Sequence, residues 1–147
     1  VGEWFDSLGN LLAILAGVAD PAQTNAILDF FPAHNLTRHP LPAIHPPVQP
    51  GDPDWRPYYV DINRPNHYHN GGLWPFIGGF YVAALVQSGR RKEAREALRN
   101  LAELNQTGDF PEWLEATTQS ARGVAQQAWS AGMYLYAHAC VVSGCAL

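Results

Sequence analysis

Prolines cluster in one part of this chain and exclude regular secondary structure there. Most of the twelve prolines in the 147 residues fall between positions 32 and 72. Proline breaks a helix interior and removes a donor from a sheet ladder, so the segment predicts a loop. It is far longer than the usual connection of about 4–6 residues, and such loops are either disordered or functional.

Large apolar side chains within residues 32–72 argue against disorder, because disordered segments lack them. These side chains are Trp55, Tyr58, Tyr59, Val60, Ile62 and Tyr68. We therefore predict a long ordered loop that lies across the mouth of a cavity.

Two helices are predicted before this loop. Residues 7–20 carry apolar side chains at helical spacing. Asp20 is then a favourable N-cap for a second helix, with Pro21 at the first helical position. Pro32 is expected to end that helix, because a proline cannot continue the hydrogen-bond pattern.

Three more helices are predicted after the loop. Residues 73–89 are apolar on nearly all sides, so this helix should be buried on both faces. Residues 90–105 are amphipathic, and residues 106–123 break the helical pattern. Residues 124–144 form a third mostly apolar helix at the end of the chain.

The helices alternate between apolar on nearly all sides and amphipathic. A two-layered ring of helices requires such a series, because its inner layer is buried on both faces and its outer layer on one. The pattern therefore predicts an all-α fold of helix pairs in an incomplete toroid. Five helices cannot close a ring, and the apolar surface left on the inner helices predicts self-association.

The composition excludes several classes of function. Charged residues make up 15% of the chain and the net charge is −4, so there is no basic face for nucleic-acid phosphates. No apolar stretch reaches the roughly 18 residues that a membrane span needs. Residues 1–10 also lack the basic start and apolar core of a secretory signal. We predict neither a nucleic-acid partner nor a membrane partner.

The two cysteines indicate a reducing compartment. Cys140 and Cys145 lie five positions apart near the end of the last helix, where they do not face each other well. We predict free thiols and a cytoplasmic protein. The chain starts at Val1 rather than methionine, which predicts that it is processed, cut or a piece of a longer protein.

The stretch "HYHNGGLWPF", residues 67–76, has two interpretations of its own. His67 and His69 could supply two metal ligands, but zinc needs three or four and no cysteine is near, so we predict no metal. The structural interpretation is a helix N-terminus with Asn70 as its cap. The two glycines would then allow close backbone approach, and Trp74 would pack in the first turn.

A second polar and aromatic cluster lies between the last two helices. The stretch "GDFPEWLEATTQSARG" places Glu112 and Glu115 beside Phe110 and Trp113. A carboxylate among aromatic rings is typical of sugar-cleaving sites, where rings stack on the sugar and the carboxylate acts on water or an oxocarbenium ion. The alternative is that Glu112 is a solvated loop residue.

Four blocks in the same order resemble a known family. They are "FDSLGNLLAILAG", "YHNGGLWPFIGGFYVAALVQSGR", "FPEWLE" and "GVAQQAWSAGMYLYA". They resemble the C-terminal half of the catalytic domain of (α/α)6-barrel glycoside hydrolases, of the alkaline/neutral invertase and amylo-α-1,6-glucosidase (glycogen-debranching) types. The resemblance implies that residues 1–147 form part of that domain, about five helices or roughly half a barrel.

The resemblance also implies roles for individual residues. An inverting hydrolysis of an α-glucoside or sucrose-like substrate is expected, without a cofactor. Glu112 would be the general base, and His69, Asn70 and Trp74 would line the pocket for the glycone sugar. The general acid would come from the N-terminal half of the domain, which these residues do not include.

Further substrate-binding positions are expected at Asp6, Trp113, Gln127 and Trp129. The isolated chain is expected to be inactive, because the two carboxyl groups of an inverting site lie on opposite sides of the bond, roughly 6.5–9.5 Å apart. The remaining half would be supplied by the same protein or by another chain. The alternative function is a non-catalytic, self-associating half-barrel that binds carbohydrate or serves as a structural module.

Overall fold

The computed structural model describes residues 3–38, 40–107 and 109–146, in which five α-helices provide most of the regular structure. The helices are α1 (Ser7–Leu15), α2 (Pro21–Ala33), α3 (Pro75–Gln87), α4 (Arg91–Leu104) and α5 (Ala128–Ser143). The structure also has two antiparallel pairs of two-residue strands. They are β1 (Phe5–Asp6) with β2 (Ile44–His45) and β3 (Trp113–Leu114) with β4 (Ala121–Arg122). Short 3-10 turns cover Pro57–Val60 and Asn105–Thr107. The predicted fold, a partial all-α toroid, is confirmed.

The first two helices begin at side-chain caps. Asp6 caps α1 by accepting the Gly9 N–H at 3.0 Å, and α1 ends at Leu15, earlier than its apolar spacing predicted. Asp20 and Gln23 form a reciprocal capping box at the start of α2. The prediction that Pro32 ends α2 was wrong by one residue, because a proline in the last turn removes a single hydrogen bond and α2 continues to Ala33.

Helix α3 is the centre of the core. Most of its residues are buried, and it packs against α1, α4 and α5. The four consecutive residues from Val82 to Leu85, which point to different sides of the helix, are all completely buried. The all-round apolar sequence predicted this burial. Helix α4 covers α3 with one stripe, through Ala94 and Leu101, and turns its charged face outward.

Helix α5 is also mostly apolar but is only half covered. Its fully buried positions are Ser130, Ala137 and Cys140, while Leu135 and Val142 are 67% and 73% exposed. It contacts α3 and α4 on one side. The open side is the apolar surface that an incomplete ring was predicted to leave on an inner helix.

The proline-rich connection between α2 and α3 makes specific contacts along its length. Asn70, which is 3% exposed, accepts the Val48 N–H at 2.7 Å and donates to the Val48 and Asn63 carbonyls at 2.9 and 2.8 Å. Leu41 is buried in the core, and β2 pairs with β1. The connection therefore has a defined path from α2 to the start of α3, apart from His39, which lies outside the described residues.

Helix α5 carries Cys140, and Cys145 follows two residues after its end. Cys140 is buried, Cys145 is exposed, and both are free. Within the described part of the chain, no helix is long and apolar enough to cross a membrane.

Candidate active site

The residues before α3 form a stack of two rings, His69 and Trp74, which we call the aromatic wall. Trp74, which is 2% exposed, occupies the N-cap position of α3, so the interpretation of Asn70 as the cap was wrong. The His69 ring stacks on Trp74 with centroids 5.1 Å apart and planes 3° from parallel. The Trp74 Nε1–H donates to the Tyr68 carbonyl at 3.1 Å, which fixes the indole. Gly72 is required here, since a Cβ would lie 2.5 Å from that same carbonyl oxygen.

Glu112 lies in the loop before β3 and is half-buried rather than fully solvated. Its Oε2 accepts the Val124 N–H at 2.9 Å, and its own N–H donates to the Val124 carbonyl at 3.1 Å. The strand that follows Glu112 is joined to the aromatic wall, because Leu73 and Leu114 exchange two backbone hydrogen bonds of 2.8 Å. The general-base candidate and the wall are thus held to each other by backbone contacts.

The charge of Glu112 acts on His69. Desolvation lowers the pKa of His69, and the negative charge of Glu112 opposes this shift in part. The imidazole is therefore mostly neutral near neutral pH, with one nitrogen as donor and one as acceptor. Such a ring can donate to one sugar hydroxyl and accept from another.

The start of α5 lies beside the aromatic wall and the loop that carries Glu112. Gln127 is the N-cap of α5, and its N–H donates to the Phe110 carbonyl at 2.9 Å. The Trp129 ring lies 6.5 Å from Trp74 and 6.0 Å from Phe76 between centroids, and it is 49% exposed. The structure therefore brings five of the predicted site residues to one location: Glu112, His69, Trp74, Gln127 and Trp129.

The other three predicted positions are used differently in the structure. Trp113 is 8% exposed and packs edge-on against His67 and Tyr68, on the inner side of the wall. The Asn70 amide is engaged with the proline-rich connection, as described above. The Asp6 carboxylate accepts the Gly9 N–H at the start of α1. Substrate contacts by these three residues stay predictions.

Sequence reasoning missed a charged cluster behind the wall. The Glu115 side chain is 12% exposed and lies 3.6 Å from both His67 Nε2 and Arg122. It also accepts hydrogen bonds from the Thr117 and Thr118 hydroxyls, which lower the pKa of Glu115, and His67 and Arg122 add smaller shifts in the same direction. The sequence signal for this cluster was "EATT", a glutamate followed closely by two threonines. This carboxylate stabilises the turn of the β3–β4 hairpin.

The exposed edge of His69 faces a cleft of about 480 Å3. The proline-rich connection forms most of the walls of this cleft, and the residues before β1 complete it. That the loop lies across the mouth of a cavity stays a prediction. The lining of the cleft combines aromatic, charged and amide side chains: Trp4, Asp54, Arg56, Tyr58, Tyr59 and Asn63. Among residues 3–38, 40–107 and 109–146, no three His, Cys, Asp or Glu side chains are grouped so that they could hold a metal ion.

Comparison with known proteins gives one consistent family. The sequence profile described as alkaline and neutral invertase matches residues 3–143. The chain is 34% identical to probable alkaline/neutral invertase D of Arabidopsis thaliana and 34% identical to cytosolic invertase 1 of Oryza sativa subsp. japonica, with 92% of the chain covered in each case. It is 35% identical over 90% of its length to alkaline/neutral invertase E, chloroplastic, of Arabidopsis thaliana. The chain spans 22–26% of the length of these three relatives.

Proposed function

The chain belongs to the alkaline and neutral invertase family, and we propose that it forms one side of the active site of a sucrose-hydrolysing glycosidase. Glu112 serves as general base, and the sugar binds against His69, whose ring is held in place by the buried Trp74, and against the exposed ring of Trp129. The observation that carries the proposal is the fixed Glu112 carboxylate beside this wall, joined to it through Leu73 and Leu114.

The exposed rings of His69 and Trp129 suit a sugar better than a charged or purely apolar ligand. A hexose presents C–H groups on one face, which pack against an aromatic ring, and hydroxyls around its rim. Trp129 offers an exposed ring of this kind, and neutral His69 offers both a donor and an acceptor. Cleavage of a glycosidic bond uses two carboxyl groups, and the fixed Glu112 carboxylate beside aromatic rings would supply one of them.

The proposed mechanism is inverting, with the second carboxyl group supplied from outside these residues and placed across the glycosidic bond from Glu112. Glu115 is a poor candidate for the acid, since its carboxylate is occupied by His67, Arg122 and two threonine hydroxyls. The chain also spans only about a quarter of its relatives, which leaves room for an acid elsewhere in the protein. Glu112 would then take the proton from water while that acid protonates the leaving oxygen.

The test is Glu112→Gln in the full-length protein that contains these residues. Loss of the base should lower kcat on sucrose by about 10²–10⁴-fold, while sugar binding persists because the amide keeps the size and one acceptor. Glu103→Gln, on the exposed face of α4, is the matched control and should leave kcat unchanged. Unchanged turnover in Glu112→Gln would overturn the assignment.

Activity and binding measurements on the full-length protein and on residues 1–147 distinguish the remaining alternatives. Turnover of an α-1,6-glucoside in preference to sucrose would favour the debranching type of specificity. Sugar binding without any hydrolysis would favour a non-catalytic carbohydrate-binding module. Hydrolysis by residues 1–147 alone would show that a complete acid–base pair lies within them. A cytoplasmic location remains part of the proposal, supported by two free thiols and one relative named cytosolic.

A further inference from the structure

We infer that Gly123 is a positioning residue for Glu112, because it lets the chain fold over the carboxylate and direct the Val124 N–H at it. The inference rests on the proposed role of Glu112 as general base. It extends that role to a backbone element more than ten residues further along the chain, at the end of the β3–β4 hairpin.

Val124 contacts Glu112 at two points. Its N–H donates to Oε2 of the carboxylate at 2.9 Å, and its carbonyl accepts the Glu112 N–H at 3.1 Å. The two hydrogen bonds fix the carboxylate relative to its own backbone. Oε2 uses one of its acceptor positions for this contact, and we expect Oε1 to be the oxygen that receives a proton from water.

Only glycine fits at position 123. Its φ is +72°, and a Cβ built there would lie 2.1 Å from Glu112 Oε2 and 2.9 Å from Glu112 Cβ and Cδ. Gly17 and Gly89 have similar φ values of +69° and +75°, but nothing lies within 4 Å of a Cβ built at either. The three glycines therefore share the backbone conformation, and Gly123 differs from the other two by its contact with the carboxylate.

The loop that carries Glu112 cannot easily move away from such a collision. The N–H groups of Gln126 and Gln127 donate to the carbonyls of Asp109 and Phe110 at 2.6 and 2.9 Å. The hydroxyl of Ser130, which is 1% exposed, donates to the Pro111 carbonyl at 2.8 Å. These bonds fasten the backbone before Glu112 to the start of α5. A side chain at position 123 would therefore displace the carboxylate rather than the loop.

The first test compares Gly123→Ala with Gly17→Ala and Gly89→Ala in the full-length protein. A misplacement of about 1 Å at a catalytic group can cost roughly 10²-fold in rate. Gly123→Ala should therefore lower kcat on sucrose by about that factor and leave KM within about twofold, since the sugar-binding wall is untouched. The two control variants carry the same backbone strain and should retain kcat.

A double variant shows whether Gly123 acts through Glu112. In the Glu112→Gln background, Gly123→Ala should cause little further loss of kcat, because residues that act as a unit are not additive. An equal loss in both backgrounds, or full kcat in Gly123→Ala, would overturn this inference alone. Unchanged kcat in Glu112→Gln would instead overturn the proposed function.

Thermal unfolding provides a readout that does not depend on activity. Gly123→Ala should lower the unfolding midpoint more than Gly89→Ala does, and Glu112→Ala should restore part of that difference by removing Oε2 and Cδ. If Gly123→Ala fails to fold, the Glu112→Ala, Gly123→Ala double variant should fold. Absence of any recovery would overturn the assigned contact.

Discussion

Helices α3 and α5 are both mostly apolar, yet they differ in burial. Leu85 in α3 is fully buried, whereas Leu135 in α5 is 67% exposed. The difference lies in their neighbours, because α3 is covered by α1, α4 and α5, and α5 has partners on one side. A mostly apolar helix sequence thus does not by itself fix how far the helix is buried, which depends on the elements packed around it.

The two helices also carry the two halves of the candidate site. The N-terminal end of α3 holds the His69–Trp74 wall, and the N-terminal end of α5 is bonded to the loop with Glu112. The wall therefore lies at the end of the buried helix, while the loop with Glu112 is bonded to a helix that has an exposed apolar side. Coverage of α5 by the rest of the protein would stabilise the side of the site that carries Glu112.

The largest expected effect concerns association of the isolated chain. Burying the open face of α5 is worth about 25 cal/mol per Å2 of apolar surface before ordering costs. We expect the 16.2 kDa chain to sediment as a dimer or larger species. Leu135→Lys with Val142→Lys should shift it toward monomer, while Ala26→Lys on the exposed side of α2 should not. A folded 16.2 kDa species at high concentration would contradict this comparison of the two helices.

Truncating one leucine in each helix tests the difference in burial directly. Leu85→Ala should lower the free energy of unfolding by about 2–5 kcal/mol, the usual cost of a large-to-small change in a core. Leu135→Ala should cost less than about 0.5 kcal/mol in the monomeric chain, as surface changes do. Denaturant titration at low protein concentration measures both. Equal costs in the monomer would show that α5 is already covered.

The third effect comes from the place where the two helices touch. A Cβ built at Gly79 of α3 would lie 2.8 Å from the Met133 carbonyl oxygen and 2.9 Å from its Cβ. Gly79→Ala should therefore push α3 and α5 apart and destabilise the fold by about 1–3 kcal/mol, as overpacking usually does. An unfolding midpoint equal to that of the unchanged chain would mean that the helices adjust without cost.

Local signals predicted the helices well and the hairpin poorly. The Asp20 cap and the apolar run of α3 act within a few residues, so sequence alone places those elements. The β3–β4 hairpin has strands of two residues, which are too short to show a period of two. The secondary structure of residues 106–123 could therefore be predicted only as a break in the helical pattern.

The candidate site shows the same limit. Glu112 could be found from its aromatic neighbours, and its position beside the wall rests on long-range backbone pairing that no local pattern encodes. Asp6 is the opposite case, since its hydrogen bond to Gly9 is an ordinary N-cap that "DSLG" indicates by itself. Gly123 carries a weak signal, a glycine after a polar stretch, but its contact with Glu112 appears only in three dimensions.

The smallest expected effect has the opposite sign and uses Gly132, the glycine of α5. Nothing lies within 4 Å of a Cβ built at Gly132, which sits on the exposed side of α5. Gly132→Ala should stabilise the isolated chain by about 0.5–1 kcal/mol, because alanine loses less backbone entropy in a helix. The same substitution in the full-length protein probes whether another helix packs there. If another helix approaches α5 there as closely as α5 approaches Gly79, Gly132→Ala should destabilise the full-length protein. A stabilised full-length variant would mean that this part of α5 remains open.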